Sequence, residues 1–189
     1  MRITGGRLAR RPLDAPKGDR TRPTTDRVRE ALFSALGSRM DFEGARVLDL
    51  FAGSGALGLE ALSRGAAHAT FVERHGPTLA VARANAQGLG VAASGAFVRA
   101  DALAALDRTR GPLATPTSRF DLILADPPYA LAELPTLPER VRPLVAPGGL
   151  FVLEHDARHA FEGTPGHVQS RSYGGTVVSL FDGAGGDAA

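Results

Sequence analysis

The chain has 189 residues, a length that suits one domain of ordinary size. Its hydrophobic fraction of 43% and mean hydropathy of -0.05 are typical of a globular protein, and no apolar run approaches the roughly 20 residues that span a bilayer. The N-terminus lacks the apolar stretch of a signal peptide, and the sequence has no cysteine. Disulfide and thiolate chemistry are therefore excluded, no metal is expected, and we expect a cytoplasmic protein without membrane contact.

The net charge of +2 is unevenly distributed along the chain. Residues 1–30 hold nine basic and four acidic side chains, so this segment carries +5 and the remainder carries -3. Such asymmetry is typical of a phosphate-binding arm on a near-neutral body, although a solvated basic tail would show the same balance. The candidate phosphate contacts are Arg2, Arg7, Arg10, Arg11, Arg22, Arg27 and Arg29.

The N-terminal elements precede a regular pattern. Arg2–Leu13 predicts a small hairpin around Gly5-Gly6, followed by a loop to about Pro23. Thr24 or Thr25 can cap a helix over Asp26–Leu36, because a threonine oxygen accepts from a free first-turn N–H. The apolar residues of this helix recur at helical spacing, and its other face is predicted to show Arg27 and Arg29.

From Arg46 onward, short apolar runs alternate with helical stretches. The alternation predicts a Rossmann-like α/β fold: a mostly parallel seven-stranded sheet with helices on both faces and a C-terminal antiparallel hairpin. The predicted strands are Val47–Phe51, Ala69–Glu73, Ala96–Arg99, Phe120–Ala125, Leu150–Glu154, Val168–Ser172 and Thr176–Phe181. The predicted helices are Ala56–Arg64, Pro77–Gln87, Ala102–Asp107 and Leu134–Val145, the last broken near Pro138 and Pro143. We thus expect a basic hairpin or arm over 1–23, a main domain over 24–182 and a disordered tail over 183–189.

A glycine turn after the first strand predicts a cofactor site. Gly53-x-Gly55-x-x-Gly58 matches the dinucleotide fingerprint, with Glu73 about 20 residues further on, although strand–helix packing alone can require such glycines. Asp49, just before the turn, would hold an amino group and repel a pyrophosphate, so the set favours S-adenosylmethionine over NAD. Asp101, after the third strand, is placed to accept from an adenine amino group. The candidate cofactor residues are Asp49, Phe51, Ala52, Gly53, Gly55, Glu73, Arg74, Asp101, Ala102 and Asp126.

The motif Asp126-Pro127-Pro128-Tyr129 at the end of the fourth strand predicts the chemistry. Prolines lack an N–H donor, so the carbonyls before and between them can accept from a substrate amine, beside the Asp126 carboxylate. The Tyr129 ring offers a face on which a flipped base can stack. These four residues are the candidate catalytic residues for methylation of an exocyclic amine, in which positioning and electrostatics supply most of the acceleration. The alternative is a Pro-Pro turn that only ends a strand.

Several strings resemble a known family. Asp126–Tyr129 together with Asp49–Gly55 resembles the class I amino-methyltransferases. Arg22–Phe33 resembles the N-terminal signature of the bacterial 16S rRNA guanine-N2 methyltransferases, and Leu48–Ala66 and Tyr173-Gly174 are similar to the same family. The likeness covers roughly residues 1–182.

The resemblance implies transfer of a methyl group from S-adenosylmethionine to N2 of a guanine in 16S rRNA, within the small ribosomal subunit or its assembly intermediate. The basic residues named above, with Thr24, would then contact RNA. A monomer is expected, because no amphipathic surface beyond the core faces is evident. Two alternatives stay open: an amino-methyltransferase for adenine N6 or a protein glutamine, whose families typically show Asn in place of Asp126, and a non-catalytic RNA-binding Rossmann domain.

Overall fold

Seven strands and five α-helices make up the secondary structure that a computed structural model describes for residues 1–16, 25–107, 111–113 and 119–183. The strands are β1 Arg46–Leu50, β2 His68–Glu73, β3 Gly95–Arg99, β4 Phe120–Ala125, β5 Val145–His155, β6 His167–Tyr173 and β7 Thr176–Asp182. The helices are α1 Asp26–Gly37, α2 Ala56–Ser63, α3 Gly76–Gly88, α4 Ala102–Ala105 and α5 Leu137–Val141. None of the helices in these ranges is long and apolar enough to cross a membrane.

All seven strands form one sheet in the order β3-β2-β1-β4-β5-β7-β6. The first five strands pair in parallel, and β7 pairs antiparallel with both β5 and β6. The predicted Rossmann-like architecture with a C-terminal antiparallel hairpin is therefore confirmed. The reversal of strand order between β1 and β4 matters most for function, because ligands of open α/β sheets bind at such a switch point.

Successive residues along each strand point to opposite faces of the sheet, so their side chains pack into two hydrophobic cores, one on each face. One face buries side chains such as Val47 and Leu124 beneath α1, α2 and α3. The other buries side chains such as Leu48 and Ile123 beneath α4 and α5. Burial on both faces explains why the parallel strands are continuous apolar runs in the sequence.

The segment after β4 is broken near Pro138 and Pro143, as the sequence predicts. The five-residue α5 lies between two 3-10 turns, Leu134–Thr136 before it and Arg142–Leu144 after it. Pro138 and Pro143 each stand at the start of a new turn, because proline lacks the N–H that would continue the preceding one. Val145 belongs to β5, where it pairs with Phe120, so the prediction was wrong at this residue.

Residues 1–13 form the predicted hairpin-like pairing but are part of the main body. The Ile3 N–H donates to the Arg11 carbonyl at 2.9 Å, and the Arg10 N–H donates to the Ile3 carbonyl at 2.8 Å. A 3-10 turn over Gly6–Leu8 connects the two halves. Ile3 is 0% exposed and Leu13 is 5% exposed in the core under α1 and α2, so this hairpin packs as a layer of the domain.

The Glu60 carboxylate on α2 joins this N-terminal layer to the helices. It is buried, and it accepts the N–H groups of Thr4 and Gly5, both at 2.8 Å, and the Thr4 hydroxyl at 2.7 Å. It also pairs with the guanidinium groups of Arg29 and Arg64 at 3.4 and 3.0 Å. Five donors from three segments thus converge on one carboxylate.

Arg29 corrects one of the predicted RNA contacts. Its side chain is 0% exposed and reaches Asp26 at 2.9 Å as well as Glu60, so it cannot meet RNA on the surface of this fold. The cap of the same helix is as predicted, since the Thr25 oxygen accepts the Val28 N–H. At the other end of the chain, Gly183 was assigned to the tail but donates to the Gly149 carbonyl at 3.0 Å. The loop from Lys17 to Thr24, with Arg22, and the tail over 184–189 lie outside the described residues.

Candidate active site

The predicted site residues gather at the carboxyl edge of the sheet, around the switch point. Leu50 pairs with Ala125 across β1 and β4, so the turn after β1 and the motif after β4 leave the sheet side by side. Leu50 also pairs with Val72, which brings the end of β2 to the same edge. The loops that follow β1, β2 and β4 therefore lie next to each other at the carboxyl edge of the sheet.

The turn after β1 has an unusual backbone. Phe51, Gly53 and Gly55 have φ angles of +60°, +55° and +79°. Glycine adopts this left-handed region freely, but a bulky residue such as phenylalanine does so at a cost in strain. The Gly55 N–H donates to the carbonyl of the buried Ala52 at 2.7 Å, which closes a tight turn directly before α2. This loop presents its backbone to the space above β1 and β2.

Asp49 lies beneath that turn rather than at its surface. The residue is 1% exposed, and its carboxylate accepts the N–H of Gly58 at 2.9 Å. Burial raises the pKa of the Asp49 carboxyl to about 8, and the nearby charge of Glu73 acts in the same direction. A Cβ at Gly58 would lie 2.4 Å from the Phe71 ring, so only glycine fits there. Asp49 therefore stabilises the turn from its buried side through the bond to Gly58. Its contact with the cofactor's amino group stays a prediction.

We expect an Asp49→Asn variant to unfold at a higher temperature than the unmodified chain at pH 8, by a few degrees. In the folded chain the carboxyl keeps its proton up to about pH 8, whereas in the unfolded chain it loses that proton near its ordinary pKa of 3.8. Stability therefore falls as the pH rises through this window, and the loss is complete above pH 8. The asparagine amide oxygen still accepts from Gly58 but does not titrate.

Thermal unfolding of both chains between pH 4 and pH 8 measures this effect. The two melting temperatures should converge near pH 4 and separate as the pH rises, while the variant binds S-adenosylmethionine more weakly in calorimetry. A variant that is less stable at pH 8 would show that Asp49 is ionised and stabilising in the fold.

Glu73 at the end of β2 borders the same loop. One carboxylate oxygen accepts the Gly53 N–H at 3.2 Å, and the other accepts the His75 N–H at 2.8 Å. The side chain is half-buried, and each oxygen retains a second lone pair that can accept from a ligand hydroxyl. Its neighbour Arg74, also predicted to bind the cofactor, is exposed.

Asp101 follows β3 and caps α4. One of its oxygens accepts both the Leu103 and Ala104 N–H groups, at 3.0 and 3.1 Å, so the cap does not use the second oxygen. Asp101 is exposed, and the adjacent Ala102 is 4% exposed. The cap alone explains the presence of an aspartate, but the unused oxygen suits the predicted contact with adenine.

The target motif stands beside this cofactor edge. Asp126 is half-buried, Pro127 is buried, and Pro128 and Tyr129 are exposed. The Pro128 carbonyl accepts the Leu131 N–H at 2.9 Å, which fixes the turn from its far side. Because Asp126 directly follows Ala125, which pairs with Leu50, the motif begins at the switch point, and its contact with a target base stays a prediction.

Tyr129 is held in place through its hydroxyl. The phenol oxygen lies 3.0 Å from the hydroxyl of Thr176, the first residue of β7, and the ring remains 37% exposed. Burial raises the pKa of the Tyr129 phenol, the Thr176 hydrogen bond opposes this shift, and the carboxylates of Glu154, Asp126 and Asp156 reinforce it. The C-terminal hairpin therefore positions the ring that is predicted to stack on a base.

Two residues near this site, Glu154 and Thr176, were not predicted from the sequence. Glu154 ends the apolar run of β5 and is only 5% exposed, and Leu153 before it pairs with Ala125, so Glu154 lies beside Asp126 at the edge. A carboxylate at the end of a buried strand was the signal that identified Asp49 and Glu73, and it applied here equally. Thr176 carried no such signal, because its role depends on how the hairpin folds back over β5.

The predicted RNA contacts fall into two groups. Arg27 is exposed on the first turn of α1, and the exposed Arg2 lies 3.6 Å from Asp26 at the start of that helix. The exposed Arg7, Arg10 and Arg11 belong to the turn that packs near the ends of α2 and α3. There the Leu8 N–H reaches Ser63 and the Arg11 guanidinium reaches Gly88, at 3.0 and 2.8 Å. These bonds attach the second group to the ends of α2 and α3 rather than to Asp126–Tyr129.

This fold, with a glycine turn after β1 and an Asp-Pro-Pro-Tyr motif after β4, defines a class I methyltransferase. The family model described as Conserved hypothetical protein 95 matches residues 1–182, and the chain belongs to this family. Because the match includes the N-terminal hairpin and the C-terminal strands, the family likeness extends over all of the layers described above.

Relatives and solved structures agree with this assignment. The chain is 37% identical over 187 residues to the putative rRNA methyltransferase YlbH of Bacillus subtilis, covering 96% of this chain and 98% of that protein. It is 56% identical over 73 residues to ribosomal RNA small subunit methyltransferase D of Escherichia coli, covering 39% of this chain and 36% of that protein. The structure of the putative methyltransferase yhhF from Escherichia coli superposes with a TM-score of 0.79 at 30% identity, covering 97% and 98% of the two chains.

Proposed function

We propose that the chain transfers a methyl group from S-adenosylmethionine to the exocyclic N2 of a guanine in 16S rRNA of the small ribosomal subunit or its assembly intermediate, acting as a monomer in the cytoplasm. The observation that carries the proposal is the pairing of Leu50 with Ala125, which sets the glycine turn and Asp126–Tyr129 next to each other. The names of the relatives above supply the rRNA and the small subunit.

The edge of the sheet fits S-adenosylmethionine, which would supply an electrophilic methyl group on a sulfonium. A positively charged, hydroxyl-rich ligand suits carboxylates at successive strand ends, and Glu73 and Asp101 both have acceptor capacity there. The left-handed turn over Phe51–Gly55 brings backbone close to the same space. Asp49 adds a group whose charged form a cation would stabilise.

The target edge suits an amine that must be oriented and activated. Guanine presents N1–H and N2–H groups side by side, and a carboxylate accepts such a pair of donors. Asp126 and the buried Glu154 both stand at this edge, and Pro127 and Pro128 contribute no competing N–H donors. Acceptors aimed at the N2 hydrogens raise the electron density on nitrogen. The N2 lone pair then forms the N–C bond as the C–S bond breaks, and the displaced N2 proton passes to solvent.

RNA contact belongs to the arginines near this edge. Arg27 and Arg2 lie at the start of α1, and Arg22 and Thr24 precede it in the chain outside the described residues. Arg7, Arg10 and Arg11 remain proposed contacts for another part of the RNA, since the turn that carries them packs on the ends of α2 and α3. Arg29 is buried and is not among the proposed contacts.

Transfer of labelled methyl from S-adenosylmethionine to small ribosomal subunits that lack the native modification tests the proposal. Digestion to nucleosides should place the label in N2-methylguanosine. Label in adenosine or in protein would overturn the proposed substrate while keeping the class of enzyme. No transfer to any fraction would favour a binding domain without catalysis.

Tyr129→Ala should reduce methyl transfer much more than Tyr129→Phe. The ring is proposed to stack on the flipped guanine, a contact worth about 1–3 kcal/mol, and phenylalanine retains that face. Thr176→Val is the matched control, because it removes the same hydroxyl contact as Tyr129→Phe while keeping the ring. Initial rates at saturating cofactor measure the effect. Equal losses in Tyr129→Ala and Tyr129→Phe would assign the role to the hydroxyl and its bond to Thr176.

A further inference from the structure

A groove between α1 and the C-terminal hairpin has no role in the proposed transfer. The groove is shallow and open to solvent. Its apolar floor is formed by Leu32 and Leu36 of α1 with Val178 and Leu180 of β7. These side chains belong to the core on that face of the sheet, so the floor is fixed by the fold.

The groove leads away from the target motif. It extends along β6 from Tyr173, beside the β6–β7 turn, to Gln169. Tyr173 pairs with Thr176, and the Thr176 hydroxyl bonds the Tyr129 hydroxyl at 3.0 Å. Val178 in its floor pairs with Glu154 at the catalytic edge. One end of the groove therefore adjoins the position where a target base would stack.

The charged side chains that line the groove are both positive. Arg39 and Arg171 line it, both residues are exposed, and no carboxylate is found among the described residues that line it. The Arg39 guanidinium donates to the side-chain oxygen of Gln169 at 3.2 Å, which holds this cation over the groove. An apolar floor with guanidinium groups above it matches a single RNA strand, whose bases and riboses present apolar faces and whose phosphates accept from arginine.

We propose that the RNA strand adjoining the target guanine lies in this groove, with its phosphates contacting Arg39 and Arg171. The inference rests on the proposed function for the identity of the target. It also adds a surface that the basic N-terminal segment does not include. The strand passes from the Tyr129 ring over the β6–β7 turn, and Tyr173 marks the entrance to the groove.

The test compares two double variants with the same loss of charge. Arg39→Gln with Arg171→Gln removes the groove cations. Arg46→Gln with Arg83→Gln removes two exposed arginines elsewhere, one at the start of β1 and one on α3, which stack on Phe120 and Phe97. Each protein is titrated with unmodified 16S rRNA transcribed in vitro at about 50 to 200 mM salt. The groove variant should lose about 1.5 from the slope of log affinity against log salt, and the control should keep the slope of the parent chain.

Two outcomes would overturn the inference. Equal slopes in the groove variant and the control would show that these arginines are not phosphate contacts. Weaker binding to small subunits with unchanged binding to bare rRNA would assign the groove to a ribosomal protein instead. Because the titration requires no chemistry, its failure is distinguishable from failure of the proposed function, which is read from the labelled nucleoside of the parent chain.

Discussion

Asp126→Ala should lower methyl transfer by about a hundred- to a thousandfold, the usual cost of removing one oriented electrostatic partner from an active site. Asp126 follows β4 directly at the switch point, beside the prolines whose missing N–H groups leave an acceptor-rich edge. Without its carboxylate, the N2 amine loses both its orientation and the electron density that makes it nucleophilic. Single-turnover rates at saturating cofactor, with calorimetric binding of S-adenosylmethionine in parallel, measure the change.

The affinity for the cofactor should stay within a few fold in the same variant. Asp121→Ala is the matched control, since Asp121 stands on the same strand but accepts the Arg46 N–H at the opposite edge of the sheet. That variant should retain the parent rate. If Asp126→Ala chiefly loses cofactor affinity and turns over normally when saturated, Asp126 belongs to the cofactor site and the proposed target edge is wrong.

Glu60→Gln should destabilise the fold by about 3–5 kcal/mol, because it removes the buried anion that pairs with both Arg29 and Arg64 and accepts the Thr4 and Gly5 N–H groups. For a chain of this size the melting temperature should fall by roughly 10 °C. Glutamine keeps the volume and one acceptor oxygen, so the loss reports the charge rather than a cavity. Thermal and denaturant unfolding measure it.

Two further variants keep this prediction testable. Glu30→Gln removes an exposed carboxylate from the same helix as Arg29 and should leave stability within about 0.5 kcal/mol of the parent chain. Arg29→Met combined with Glu60→Gln should cost less than the sum of the two single changes, because the pair between the two side chains is lost only once in the double variant. Strict additivity would show that the two side chains do not depend on each other.

The strands and the position of the candidate site could be predicted because each depends on residues that are neighbours in the sequence. Burial on both faces makes each parallel strand an apolar run, and the carboxylates Asp49, Glu73 and Asp126 stand at or near the ends of those runs. Arg29 was also within reach of such reasoning. It precedes Leu32, Phe33 and Leu36 by three, four and seven residues, so the helical period places it on the buried face. Its charge led to the surface assignment instead.

Other features depend on contacts between distant segments and have no local signal. Glu60 lies among apolar residues of α2, and its partners Thr4 and Gly5 are 56 and 55 residues away. The spacing of Asp49 locates it at a strand end, but only the packing of Gly58 against Phe71 shows that it faces inward beneath the turn. The same holds for Thr176, which meets Tyr129 across 47 residues because β7 runs antiparallel to β5.

The Glu60 junction sets an order of events during synthesis. The N–H groups of Thr4 and Gly5 are synthesised more than fifty residues before the carboxylate that accepts them. Until α2 provides the Glu60 carboxylate, the N–H groups of Thr4 and Gly5 and the Arg29 guanidinium lack this partner and interact with water instead. The N-terminal layer therefore cannot fold on its own. Closure of that long loop is an entropic cost that precedes any gain from the contacts. We therefore expect the N-terminal layer to fold only after the first βα unit has formed, with its backbone donors exposed to solvent until then.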